Sequence, residues 1–312
     1  MQNPPLNRQQ TLNEEIRTVR QFMTTLESMK KFMQKFLDQE NALVESPKND
    51  TEQLRELTDL RILAKSESWP LAMDENKIVQ DTEEEKLHHS AQYINFVLKN
   101  KIYEKKVLDF GCKEGHLGYV ASTLFNTSLM CSYDLENHNW DHFEKSENLI
   151  YTNNWDDVVS HGPYDVININ DVIDHSQEFD KSLEKIIKVK SESGRIYVRC
   201  HPWTSRHGGH LENQLNKAYL HLVFTENELY QLGVKPTNVA MFTDPLATYS
   251  NLFKQAGLTI MREYIHRKSV ELFFVHNPTI LRRIKEKWKN SNSADKFPRE
   301  ILEIEYVDFT LM

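Results

Sequence analysis

Cysteine is scarce in this chain: Cys112, Cys131 and Cys200 are the three in 312 residues, far apart and odd in number. That count argues against a disulfide framework and against a cysteine-ligated zinc site, and a reducing, cytoplasmic setting is expected. Long apolar runs are missing too; none approaches the roughly 20 residues of a membrane span. The opening MQNPPLNRQQ has no apolar core, so no secretory signal is expected there. Basic charge is not in excess. A total of 38 Lys and Arg against 46 Asp and Glu gives a net charge of −8, which argues against a general nucleic-acid binder while leaving a local basic groove open. What remains is 39% hydrophobic and 27% charged, a soluble-type composition in a chain long enough for one large core or two modest ones.

Four regions are expected. Residues 1–50 form a helical, coiled-coil arm. TLNE at Thr11–Glu14 has the capping-box pattern, and Leu12, Ile16, Val19, Met23, Leu26, Met33 and Leu37 then follow alternating four- and three-residue steps, interrupted at Lys30. Self-association through that seam is expected. Ser46–Asp50 reads as a linker. Residues 51–104 form a helical cap, with helices over Thr51–Ala64 and Thr82–Lys99; Trp69-Pro70 between them is expected to fill an apolar gap.

From Lys105 the pattern becomes short apolar strands alternating with helices. Strands are expected at KVLDF, SLMCSYDL, NLIYTN, YDVININ, GRIYVRC, LTIMREYIH and SVELFFVHN. This predicts an α/β fold, a doubly wound, mostly parallel seven-stranded sheet. Only RKS separates the last two candidates, too short for a parallel crossover, so they are expected to pair antiparallel. Residues 105–277 form this core. Residues 278–312 add a helix and a tail, REILEIEYVDFTLM, whose alternation suits a strand added to a sheet edge.

The first strand ends in DFGCKEGHLG. A nicotinamide-binding turn reads G-x-G-x-x-G and a phosphate loop needs G-K-[ST]; neither is present. An acid, Asp109, precedes a turn carrying Gly111, Gly115 and Gly118. The turn resembles motif I of the class I S-adenosylmethionine-dependent methyltransferases, and the strand order over roughly Lys105–Asn277 is similar to that family. With WPLAM upstream it also resembles methyltransferase-like proteins of large tailed phages, for which a virion-associated location is the alternative. One position departs from the family: its central glycine is Lys113 here.

The resemblance implies S-adenosylmethionine as cofactor, held by Asp109, Gly111, Gly115, Asp134, Asn154 and Asn170. Asp134, about twenty residues past the turn, is expected to take the ribose hydroxyls. Asn153, Asn154 and Trp155 are expected near the adenine. At the carboxyl ends of the next strands stand Asn170, Asp171, Asp174, His175, His201, His207 and His210. A hydroxyl acceptor must lose a proton, and a histidine suits that task. His175 is the first candidate base and His201 the second, with Asp171 beside them. The expected site has no metal; the alternative set, implied by a likeness to small-RNA 2′-O-methyltransferases, is Asp171, Asp174, His175 and His221. RHGGH is also suited to gripping a phosphate through Arg206. Residues 212–249 are expected to cover the acceptor, with Met241, Phe242 and Tyr249 as its apolar wall. The expected function is methyl transfer to an oxygen or nitrogen of a small molecule, nucleic acid or protein. Its rival is a methyltransferase-like structural or assembly part with a degenerate cofactor site.

Overall fold

The computed structural model describes residues 23, 27, 30, 31, 50–73, 82–144, 146–176, 178–236, 246–268, 273, 276–291 and 302–312. Strands β1 (Lys106–Phe110), β2 (Leu129–Tyr133), β3 (Leu149–Thr152), β4 (Tyr164–Asn170), β5 (Lys190–Cys200), β6 (Ile260–Arg267) and β7 (Ile304–Leu311) form one sheet in the order β3-β2-β1-β4-β5-β7-β6. The first five pair parallel, and β7 runs antiparallel to both of its neighbours. Chain order reverses between β1 and β4, which in open α/β sheets makes the crevice at their carboxyl ends the ligand site.

Helices cover both faces. They are α1 (Asp50–Ala64), α2 (Glu83–Tyr93), α3 (His116–Leu124), α4 (Trp155–His161), α5 (Phe179–Lys188), α6 (Leu220–Val223), α7 (Glu226–Leu232), α8 (Leu246–Gln255) and α9 (Pro278–Ser291). Side chains of a strand alternate between faces. Val107 accordingly packs with Ile94, Leu98, Val120 and Ala121 from the α2 and α3 side, while Leu108 joins Val158, Leu183, Ile186 and Phe253 on the other. Thr82 caps α2 in a reciprocal box with Glu85, and a wider turn, Ile94–Leu98, follows the helix. Trp69 fills a gap as expected. It is 1% exposed, donates its indole N–H to the Ala218 carbonyl at 2.8 Å and stacks on Phe224, in a second core with α1, α6, α7 and α9.

The expected antiparallel pair is present, but its second strand is not residues 269–277. Within that range Phe273 and His276 are helical, and Phe273 packs against Trp69. The partner of β6 is β7, from the tail, and it does not sit on an edge: it lies between β5 and β6. Its alternation explains this, because Ile304, Val307, Phe309 and Leu311 are all 3% exposed or less. Of the N-terminal arm, Met23, Glu27, Lys30 and Lys31 are helical and exposed; Leu12, Ile16, Val19, Leu26, Met33 and Leu37 lie outside the described residues, as do Met241 and Phe242. Tyr249 is fully buried in the main core. Among the described residues no helix is long and apolar enough to cross a membrane.

Candidate active site

The turn after β1 is shaped by backbone that favours glycine: Gly111 has φ +82° and Gly115 φ +86°. Lys113 between them adopts φ +47°, a left-handed conformation that costs a side-chain-bearing residue roughly 1–2 kcal/mol. It is held from both sides. Its N–H donates to Asp134 Oδ2 at 2.8 Å, and its carbonyl accepts the Trp140 indole N–H at 2.7 Å. A left-handed conformation that suits glycine is thus reached by a lysine under two hydrogen bonds.

Asp134 follows β2, where the sequence places it. Its Oδ1 also accepts the Glu136 N–H at 3.2 Å, and His138 Nε2 is 3.3 Å away. Facing it is a stack of rings. Trp140 lies parallel to Tyr151 (5.5 Å, 13°), and Tyr151 continues to Phe143 and Tyr119. A methyl group on Gly115 would meet Tyr151 at 2.4 Å and Trp140 at 3.0 Å, and the Tyr151 hydroxyl donates to the Gly115 carbonyl. Only glycine fits at that position. Sequence reasoning missed this stack; the signal was a tryptophan in the otherwise polar ENHNWDH. Two of the residues expected near adenine also have structural roles. Asn154 caps α4 through Asp156 N–H, and Trp155 packs edge-on against Phe110 and Tyr133.

Asp109 is 4% exposed and accepts from Asn168 Nδ2 at 2.8 Å, while the Tyr93 hydroxyl donates to Asn168 Oδ1 at 2.8 Å. Burial pushes the Asp109 carboxyl up to about 6, against the lowering effect of the Asn168 hydrogen bond. A carboxyl with a folded pKa above its unfolded one stabilises the fold at low pH, and this contribution is lost as pH rises from about 4 through 6. Asp109→Asn keeps the Asn168 contact and cannot ionise. Between pH 5 and pH 8 the variant should gain on the parent by on the order of 1–1.5 kcal/mol. Urea unfolding at the two pH values measures it; a gap between the proteins that does not change with pH contradicts the assignment.

The carboxyl ends of β4 and β5 carry the chemistry-bearing cluster. Asp171, with φ +52°, donates its N–H to the Arg199 carbonyl, and its Oδ1 is 2.7 Å from His201 Nδ1. Burial opposes ionisation of Asp171, but the His201 imidazole outweighs it and holds the carboxyl well below the usual range. For His201, burial acts to lower the pKa, and Asp171 overrides it and raises the imidazole. Asp174 is fully buried, with His210 Nε2 3.6 Å from its Oδ2. His207 is 5% exposed with its ring 4.3 Å from that of His201; burial keeps it well below the ordinary histidine value. His175 closes the turn after β4, and its side chain lies outside the described residues. His221 is elsewhere: its Nε2 donates to the Trp203 carbonyl at 2.6 Å, and burial drives it down to about 3. The structure therefore brings Asp171, Asp174 and His201 together and leaves His221 out.

Beside this cluster Arg199 grips Asp308 of β7 through two hydrogen bonds, 2.7 and 2.9 Å, between the rings of Tyr93 and Tyr306. Tyr306 stacks on His266, which is 3.0 Å from Asp308. These residues escaped the sequence reading because it put the tail at a sheet edge rather than between β5 and β6.

The profile of the methyltransferase-domain family matches residues 83–263, more than half of the chain. No curated protein matches the sequence. Among solved structures the chain is similar to coclaurine N-methyltransferase bound to N-methylheliamine and S-adenosylhomocysteine (14% identity, 92% of this chain and 95% of that one, TM-score 0.45). It is also similar to an S-adenosylmethionine-dependent methyltransferase from Archaeoglobus fulgidus (12% identity, 72% and 93%, TM-score 0.41).

Proposed function

Because the chain belongs to the methyltransferase-domain family, we propose that it transfers a methyl group from S-adenosylmethionine to an oxygen or nitrogen acceptor. Its cofactor is S-adenosylmethionine. The residues flanking the glycine turn fit such a ligand. Asn170 Oδ1, at the end of β4, is buried with no hydrogen-bond partner among the described residues, an acceptor waiting for a donor. The Asp134 carboxylate keeps lone pairs beyond those used by Lys113 and Glu136, which suits a pair of hydroxyls. Asp109, Gly111 and Gly115 shape the turn between them.

The sulfonium supplies an activated methyl group; the chain's part is alignment and the handling of the acceptor's proton. The observation that carries the reading is the Asp171–His201 contact at the switch-point edge, two strands from the glycine turn. Asp171 fixes the imidazole, and the acceptor proton is lost at this pair. His201→Asn should lower turnover by about 10²-fold or more and leave cofactor binding within twofold. Release of S-adenosylhomocysteine in the presence of an accepted substrate is the assay. Unchanged turnover would return the role to His175.

The N-terminal arm is proposed to assemble copies of the chain through the Leu12, Ile16, Val19, Met23 and Leu26 seam. The support is the heptad-like spacing, and Met23 is 55% exposed. A chain lacking residues 1–42 should be a folded monomer; light scattering that finds the full-length chain monomeric would end this proposal.

A further inference from the structure

The cluster at the ends of β4 and β5 has the composition of a cation site. One oxygen or nitrogen from each of Asp171, Asp174 and His201 lies within 4.8 Å of the others. His207 is 5% exposed, and neither of its ring nitrogens has a hydrogen-bond partner among the described residues. A polar ring buried in that state is unfavourable unless something outside the chain completes it. The two carboxylates nearby exclude an anion. The Arg199 guanidinium beside the cluster is committed to Asp308, and that of Arg206, next to His207, lies against the Tyr219 hydroxyl. Lys113 sits on the exposed turn, and its charge reaches Asp171 only from there.

We propose that Asp171, Asp174 and His201, joined by His207 from its place 4.3 Å from the His201 ring, bind one divalent transition cation of the zinc, manganese, iron or cobalt kind. Two carboxylates with two imidazoles match that group. Copper(I) prefers sulfur, and calcium and magnesium take oxygen ligands. Asp171 Oδ1 and His201 Nδ1 stand 2.7 Å apart, close to the spacing of two ligands of one ion. Ligand bonds of about 2.0–2.2 Å place neighbouring ligand atoms roughly 3–3.5 Å apart, so modest side-chain rotations convert the cluster into a shell. The histidines come from the segment after β5. This set therefore differs from the one containing His221, whose ring serves Trp203.

With the cation bound, Asp171 and His201 are ligands and no longer the base; the cation has coordination positions left for an acceptor oxygen and lowers the pKa of an oxygen bound to it. The acceptor is then a hydroxyl compound rather than an amine. That last step rests on the methyl-transfer reading; the site itself does not.

The test uses chelator-treated full-length protein titrated with Co²⁺, read by its visible d–d absorption and by metal analysis after dialysis. One Co²⁺ per chain is expected. His207→Ala and Asp171→Asn should each weaken binding more than about tenfold, with far-UV circular dichroism confirming that both variants are folded. The second group of ligand type among the described residues, Glu83, His116 and His142, is the control, and the His116→Gln/His142→Gln variant should bind Co²⁺ as the parent does. Absence of Co²⁺ binding overturns the proposal, as does binding that survives in His207→Ala and Asp171→Asn or disappears in the control variant. Titration with S-adenosylhomocysteine in metal-free protein separates the two readings. A chain that binds this product but not Co²⁺ loses the metal site alone. One that binds Co²⁺ but not the product loses methyl transfer alone.

Discussion

Asp134→Ala is expected to weaken S-adenosylhomocysteine binding by on the order of 2–4 kcal/mol, roughly 30- to 1000-fold. Two losses combine. The carboxylate no longer takes the ligand's hydroxyls, and the turn loses its brace, since Lys113 N–H donates to Asp134 Oδ2 at 2.8 Å. Without that bond Lys113 keeps only the Trp140 contact at its carbonyl to hold its left-handed conformation. Asp134→Asn, which retains a neutral acceptor, should lie between the variant and the parent. Calorimetric titration of all three proteins measures the series. If the alanine variant binds as tightly as the parent, Asp134 is not part of the cofactor site.

Phe309→Ala should destabilise the protein by about 3–5 kcal/mol, a large part of the 5–15 kcal/mol by which a domain is typically stable. Phe309 is 1% exposed, meets Phe253 edge-on at 5.1 Å, and sits in the strand that pairs Val198 on one side and Glu263 on the other. Truncating the ring leaves a cavity in the main core. Deleting residues 302–312 goes further. It strips hydrogen-bond partners from both β5 and β6, and no cooperative unfolding transition should remain. Urea denaturation gives both results; a loss under about 1 kcal/mol for Phe309→Ala would mean that β7 is not an inner strand in solution.

That strand also marks where the sequence stops being readable. The parallel strands were legible because each is a short, continuous apolar run beside a helix, as KVLDF and YDVININ show. SVELFFVHN has the same texture, and a short apolar run does not by itself separate strand from helix. The tail, with alternating Ile304, Val307, Phe309 and Leu311, carried the better strand pattern, but sequence gives no measure of whether it lies at an edge or within the sheet. The site divides the same way. Asp109, Gly111, Gly115 and Asp134 were legible because the turn's backbone demands fix residue types at fixed spacing. Trp140, Tyr151, Arg199 and Tyr306 were not, because they meet through tertiary packing from distant segments. Asn154 carries two signals at once: its place at a strand end fits a ligand, and its side chain suits a helix cap, which it makes here.

Calorimetric titration of the full-length protein with S-adenosylmethionine and S-adenosylhomocysteine tests the central claim most directly. The account predicts saturable heat with one site per chain for both ligands, together with a rise in the unfolding temperature. No heat and no thermal shift with either ligand would contradict it, and the chain would then stand as a methyltransferase-like fold retained for assembly.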